Sequence, residues 1–202
     1  STCQKAGCIG TAANSVLSQR IYEIPLKPEY AATKTDVSCR GEVGVALNGV
    51  AIYSRYYDEG NGCTDFFASE FTSLDKCGGT STSLGSYKYH ILPTCLLDQF
   101  DYKNDSHSPQ VGWALDGFPI YGNIGPGGQE MRPCGTEGFN TSICLDECNG
   151  YEAAIPDLDG FKYRYYMPGI KGDGECASKI TDPNFNEYTC ARGQFNDPCC
   201  IN

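Results

Sequence analysis

The sequence predicts a mostly β, disulfide-stabilised, loop-rich β-sheet domain with two similar hairpin-containing halves. Three observations carry that expectation. Thirteen cysteines stand among 202 residues. Twenty-four glycines and eleven prolines punctuate the chain too often for long helices. One hairpin signal occurs twice, as Asn48-Gly49 and as Asp116-Gly117, each between short apolar strands. The apolar share is 40%, enough for a core, so global disorder is excluded.

Each element has a local reason. Tyr22, Ile24 and Leu26 fall on one face of an extended segment, with Ile21 and Glu23 on the other. Val43–Leu47 and Val50–Tyr53 read as two strands around a type I′ turn at Asn48-Gly49, both central residues needing positive φ. Phe66, Phe67, Glu70, Phe71 and Leu74 have the spacing of a short helix over Thr64–Leu74. Val111–Leu115 and Phe118–Tyr121 repeat the hairpin, and Pro119, lacking an N–H, is expected on an edge or at a bulge. Gly122–Gly138 reads as a long irregular excursion. The expected organisation is an N-terminal arm over 1–20, a β domain over 21–171 and a cysteine-rich tail over 172–202 packed on that domain.

The halves are copies. Val-Gly-Val-Ala-Leu-Asn-Gly-Val-Ala-Ile-Tyr at 43–53 aligns without gaps to Val-Gly-Trp-Ala-Leu-Asp-Gly-Phe-Pro-Ile-Tyr at 111–121. A Tyr-basic-Tyr strand follows each, Tyr87-Lys88-Tyr89-His90 and Tyr163-Arg164-Tyr165-Tyr166. Repetition of order as well as motif favours an internal duplication over convergence of two hairpins. Two repeats are too few for a solenoid.

Cysteine chemistry sets the compartment. The thiols are Cys3, Cys8, Cys39, Cys63, Cys77, Cys95, Cys134, Cys144, Cys148, Cys176, Cys190, Cys199 and Cys200. Paired zinc knuckles are missing and only two histidines exist, so disulfides are expected rather than metal thiolates. Disulfides belong to oxidising, extracellular compartments. Thirteen is odd, so one cysteine is expected unpaired or bonded to another chain. Cys199 and Cys200 are neighbours and are expected to bridge to different places. Sequons at Asn104 and Asn140 predict N-linked glycans on a secreted protein. A formal net charge of −10 argues against a nucleic-acid partner, and no apolar run is long enough for a membrane span.

Several segments carry a family resemblance. They are Gly44-Val45-Ala46-Leu47-Asn48-Gly49-Val50, Leu74-Asp75-x-Cys77-Gly78-Gly79, Tyr87-x-Tyr89-His90-x-x-Pro93-x-Cys95-Leu96, His107-Ser108-Pro109 and Gly112-x-Ala114-x-Asp116-Gly117-Phe118-Pro119-Ile120-Tyr121-Gly122. In order and spacing these resemble the YHYH-domain family, over about residues 20–170. Tyr22-x-Ile24-Pro25-Leu26-x-Pro28 resembles the family's strand ahead of its first hairpin. The resemblance implies a secreted or cell-surface protein whose biochemical role is poorly defined. It also implies histidines converging near the aspartate of the second hairpin. Here Lys88 replaces the first histidine of the name motif and Thr80 stands where a histidine usually follows the Gly-Gly.

His90, His107 and Asp116 remain as candidate metal ligands, two imidazoles and a carboxylate that would suit one metal. Lys88 opposes this, since an ammonium beside the site repels a cation. A Ser108/His107/Asp116 nucleophile set fails because neighbouring strand residues face opposite sides and no nucleophile elbow is present. Asp116 is expected as a turn residue and His90 as a structural histidine. No cofactor and no catalytic residue is assigned, and the reading leans away from an enzyme. The expected function is a non-enzymatic extracellular glycoprotein, a structural or assembly module. It would self-associate into a filament or matrix through its N-terminal arm. Residues 1–40 carry five basic and three acidic groups against ten and twenty-two in the remainder, so a cationic arm meets an acidic body. The alternative is a secreted metal- or small-ligand-binding protein, enzymatic or not, using His90, His107 and Asp116.

Overall fold

A computed structural model describes residues 19–36, 40–58, 63–65, 74–75, 77–81, 85–101, 106–136, 142–155, 158, 160–167 and 200–201. In chain order the strands are β1 (Thr35–Asp36), β2 (Arg40–Ala46), β3 (Ala51–Asp58), β4 (Cys63–Asp65), β5 (Gly79–Ser81) and β6 (Tyr87–Tyr89). A four-residue helix α1 (Thr94–Leu97) follows. Then come β7 (Gln110–Ala114), β8 (Pro119–Tyr121), β9 (Gly150–Glu152), β10 (Tyr163–Tyr166) and β11 (Cys200–Ile201). The fold is mostly β, as the turn and cysteine content predicted.

One sheet runs in the order β5-β6-β3-β2-β7-β8-β10-β9, with β4 branching from β3. The order reads the same from both ends. Each half is an antiparallel hairpin whose second strand pairs in parallel with the Tyr-basic-Tyr strand, which in turn pairs antiparallel with a short edge strand. The halves meet along β2 and β7, where Gly44 pairs with Ala114, Val45 with Trp113 and Ala46 with Gly112. In the sequence alignment Gly44 corresponds to Gly112 and Ala46 to Ala114, so the pairing is an internal two-fold centred on Val45 and Trp113. Backbone bonds obey it as well: Leu47 N–H donates to Val111 C=O and Leu115 N–H to Val43 C=O. Glycine is needed at the crossing. A Cβ on Gly44 would lie 2.7 Å from the Trp113 carbonyl oxygen, and one on Gly112 2.6 Å from that of Val45.

The main core gathers Ile52, Tyr89, Leu92, Leu96, Leu97, Phe118, Ile120 and Tyr165 against the centre of the sheet. A second cluster holds Tyr121, Met131, Leu145, Ile155 and Tyr166 beside β8 and β10. Each fully buried aliphatic or phenyl side chain contributes about 1.5–3 kcal/mol. The excursion after β8 is irregular as expected, and the Cys134–Cys144 disulfide closes it. Cys77–Cys95 ties the loop before β5 to α1. Cys148 is also disulfide-bonded.

Four expectations need correction. The hairpin turns are not type I′. Gly49 N–H donates to Ala46 C=O and Gly117 N–H to Ala114 C=O, and only the glycines have positive φ, +82° and +95°. These are three-residue loops ending in a left-handed glycine, a geometry that asks positive φ of one residue instead of two. Asn48 and Asp116 instead bond forward, each side-chain oxygen accepting from the N–H two residues on. Pro119 lies neither on an edge nor at a bulge. It is the first residue of interior strand β8, and the ladder to β10 begins one residue later at Ile120, so its missing N–H costs no bond there.

The extended segment before β1 crosses the sheet as a strap without strand pairing, and its alternation ends early. Tyr22 and Ile24 turn inward, but Leu26 is 93% exposed because Pro25 and Pro28 instead lie against Gly117. The expected helix over Thr64–Leu74 starts wrongly: Thr64 and Asp65 belong to β4, and 66–73 fall outside the described residues. Residues 1–18, most of 172–202 and both sequon asparagines, Asn104 and Asn140, also fall outside them. At the far end β11 pairs antiparallel with β1, Thr35 opposite Ile201.

Candidate functional site

The Tyr-basic-Tyr strands concentrate the polar chemistry. On β6 and β10 the alternating residues face opposite sides of the sheet. One face is built from tyrosine hydroxyls and carboxylates. Tyr87 donates to one oxygen of Asp75 at 2.7 Å, while the other accepts the N–H groups of Cys77 and Gly79. Tyr163 donates to Asp146 at 2.8 Å, and the second oxygen of Asp146 accepts from Cys148 and Gly150. Tyr89 accepts from the Asn48 side-chain amide at 3.0 Å, and Tyr165 donates to Asp116 at 2.6 Å. Every bond in one half has its counterpart in the other.

This exposes a repeat that the sequence reading missed. Leu145-Asp146-x-Cys148-Asn149-Gly150 copies Leu74-Asp75-x-Cys77-Gly78-Gly79. Asn149 stands where Gly78 does and is the one non-glycine of the described residues in the left-handed region, at φ 59°. Asparagine tolerates that region, so the loop survives the substitution. The loops also bond their own edge strands, Asp75 N–H to Gly79 C=O and Asp146 N–H to Gly150 C=O. One carbonyl on each edge strand, that of Gly79 on β5 and that of Gly150 on β9, is thereby occupied.

The opposite face is basic and aromatic. Lys88 is fully buried with its ammonium 5.2 Å from the Tyr53 ring centre. Its counterpart Arg164, also buried, lies 5.8 Å from the rings of Tyr121, Tyr151 and Tyr166. Tyr121 corresponds to Tyr53, so each half holds its cation against the same hairpin tyrosine.

The sequence candidates separate across this framework. His90 is buried beside Tyr53, its Nδ1–H donating to the Ser54 carbonyl at 2.7 Å. Burial, and then the charge of Lys88, lower its pKa to about 3, against a weaker upward pull from Ser54. It is a neutral imidazole at physiological pH. His107 lies in the other half, Nε2 accepting from the Tyr166 hydroxyl at 2.8 Å and Nδ1–H donating to the Ser108 carbonyl. Tyr166 is the counterpart of His90, so the two histidines belong to two related clusters. Asp116 sits in the β7–β8 turn on the tyrosine face, bound to Tyr165. Among the described residues no group of three or more His, Cys, Asp or Glu is arranged to hold a metal ion. Ser108 is buried and accepts from the Ile124 N–H.

Tyr87 and Tyr166 are not acids or bases at neutral pH. Burial, followed by the bond to Asp75, pushes the Tyr87 phenol well above its usual value. Burial pushes Tyr166 up to about 12, with Arg164 pulling the other way. Both stay protonated as hydrogen-bond donors.

No curated protein and no solved structure matches the chain. A family model described as "YHYH protein" matches residues 21–137, more than half of the chain. The match takes in the strap, the first half and the β7–β8 hairpin. It stops short of β9 and β10, earlier than the motifs alone suggested. With its Tyr-Lys-Tyr-His strand seated against the first hairpin, the chain belongs to the YHYH protein family.

Proposed function

We propose that the chain is a non-enzymatic structural module of an extracellular assembly, carrying glycans on Asn104 and Asn140. The YHYH family is associated with secreted or cell-surface proteins of poorly defined role, and the disulfides fit an extracellular location. No helix among the described residues is long and apolar enough to cross a membrane.

One observation carries the reading. The polar residues that mark the family, Tyr87, Tyr89, Asp75 and Asn48, bond one another, and the second half repeats the arrangement. Groups spent on a duplicated internal frame serve the scaffold. His90, His107 and Asp116 lie in separate places, which does not favour the ligand-binding alternative.

Assembly would run through residues 1–19, ahead of the point where Arg20 and Tyr22 anchor the chain to Glu42. The contact would lie on the acidic body of a neighbouring copy. The test is the native mass and shape of tag-free protein with and without residues 1–19. Assembly of the full chain and a folded monomer from the shortened one are expected. Equal assembly of both would remove the arm as connector. A stoichiometric metal in the tag-free protein would favour the alternative.

A further inference from the structure

The strap is the segment whose backbone is held least. Among the described residues no backbone hydrogen bond involves positions 19–34, and the hydrogen bonds of that stretch are made by side chains. Arg20 and Ile21 are both exposed, Ile21 at 87%. Arg20 is held by its side chain, which pairs with Glu42 and lies 3.4 Å from the Ser86 hydroxyl, with a third of its surface still open to solvent. A protease draws its substrate out as an unpaired strand, so burial and hydrogen bonding of the backbone decide which bonds it reaches.

We propose that the Arg20–Ile21 bond is a processing site for a trypsin-like extracellular protease, with Glu42 as the latch that restrains it. A specificity pocket with a carboxylate at its base takes an arginine side chain before the cut bond. Water adds across the amide, leaving a carboxylate on Arg20 and an ammonium on Ile21. The other basic residues of the described chain lack this combination. Lys27 precedes Pro28, whose ring and missing N–H spoil the bond for such an enzyme, and Lys34 leads directly into β1. The Arg132 carbonyl accepts from Leu145 and the Lys162 carbonyl from Ala153. The remainder lie within strands. After the cut the strap stays seated, since the Tyr22–Glu42 bond and the packing of Tyr30 on Phe118 both lie on the body's side. That the cut removes a connector rests on the assembly reading above; the cut itself does not. A chain cleaved after Arg20 that still assembles would count against that reading alone.

The test is limited digestion of tag-free, full-length protein with trypsin under native conditions. Fragments are weighed after reduction, so that any bonds of Cys3 and Cys8 do not hide the cut. A fragment beginning at Ile21 is expected among the first products, and Arg20→Gln should abolish it. Glu42→Gln should speed its appearance about two- to fivefold, because an accessible ion pair is a weak restraint and cleavage follows the open population. Salt gives a second reading on the unaltered protein. The rate relative to that of a synthetic peptide of residues 15–26 should rise as the pair is screened. Protein from its natural source should include chains that begin at Ile21. Three results would overturn the proposal: cuts that accumulate elsewhere while residues 19–24 stay joined, a rate indifferent to both Glu42→Gln and salt, or natural material in which every chain keeps Arg20 bonded to Ile21.

Discussion

Asp75 and Asp146 each gather three donors on one carboxylate, two backbone N–H groups and one phenol. Removing either strands all three, and hydrogen bonds to a charged acceptor are the costly ones to lose. Asp146→Ala should destabilise the fold by about 2 kcal/mol, read as a lower urea midpoint at unchanged slope. A midpoint within error of the parent would show that water replaces the carboxylate. His90 makes a second prediction, in pH. Its native pKa is about 3, below the unfolded value of 6.5. Between those values the unfolded chain binds the proton and the native chain does not. The contribution of His90 is therefore complete above pH 6.5 and is lost as pH falls towards 3, at about 1.4 kcal/mol per unit. His90→Asn keeps a donor near the Nδ1 position for the Ser54 carbonyl and removes the titration. Its stability should be flatter across that window, and a parallel curve for parent and variant would show that other groups dominate.

The hairpins show how an element absorbs a side chain's limits. A three-residue loop leaves Asn48 and Asp116 free of the left-handed region and uses glycine once per turn. The strap is a different kind of element, held at a few points without a ladder. Tyr22 and Tyr53 both donate to Glu42, Tyr30 caps Phe118, and Lys34 pairs with Glu147 at an exposed site that adds little. The β2–β7 junction is the least forgiving contact, because backbone meets backbone there. Gly112→Ala would press a methyl group onto the Val45 carbonyl and Ala46 Cα, neither of which can rotate away. A loss of about 1–3 kcal/mol is expected from such overpacking, measured as a drop in thermal midpoint. An unchanged midpoint would mean that the two halves can slide apart at no cost.

At the scale of the molecule, the two-fold halves share one sheet, and disulfides fasten the loops that leave it. Peptide mapping without reductant should recover Cys77 linked to Cys95 and Cys134 linked to Cys144, with Cys148 in a linked peptide. Six or more alkylatable thiols in the native chain would contradict the disulfide framework. Each bridge contributes on the order of 2–4 kcal/mol, largely by restricting the unfolded chain. The pairing of β11 with β1 brings the C-terminal residues 200–201 beside the segment that follows the strap.

By itself the sequence determined the class, the duplication and the family. Those rest on short-range features: turn glycines, alternating strands, cysteine number and a motif repeated in order. Local patterns of this kind are read within a few residues, which is the range over which turns and strands are specified. The frame of Asp75, Asp146 and their tyrosines lay half in view, since the first loop was quoted as a motif and its copy was not. The spacing between the copies differs from that of the hairpins and Asn149 breaks the Gly-Gly signature, so a gapless comparison passes over it. Only the tertiary structure decided that Lys88 and Arg164 lie buried against hairpin tyrosines. It also decided that His90 and His107 sit in separate halves, and that one turn is covered while its twin stays open. Those outcomes depend on which strands pair across long stretches of chain. Pairing of that kind is set by the balance of burial over the whole sheet, and no local window of sequence contains it.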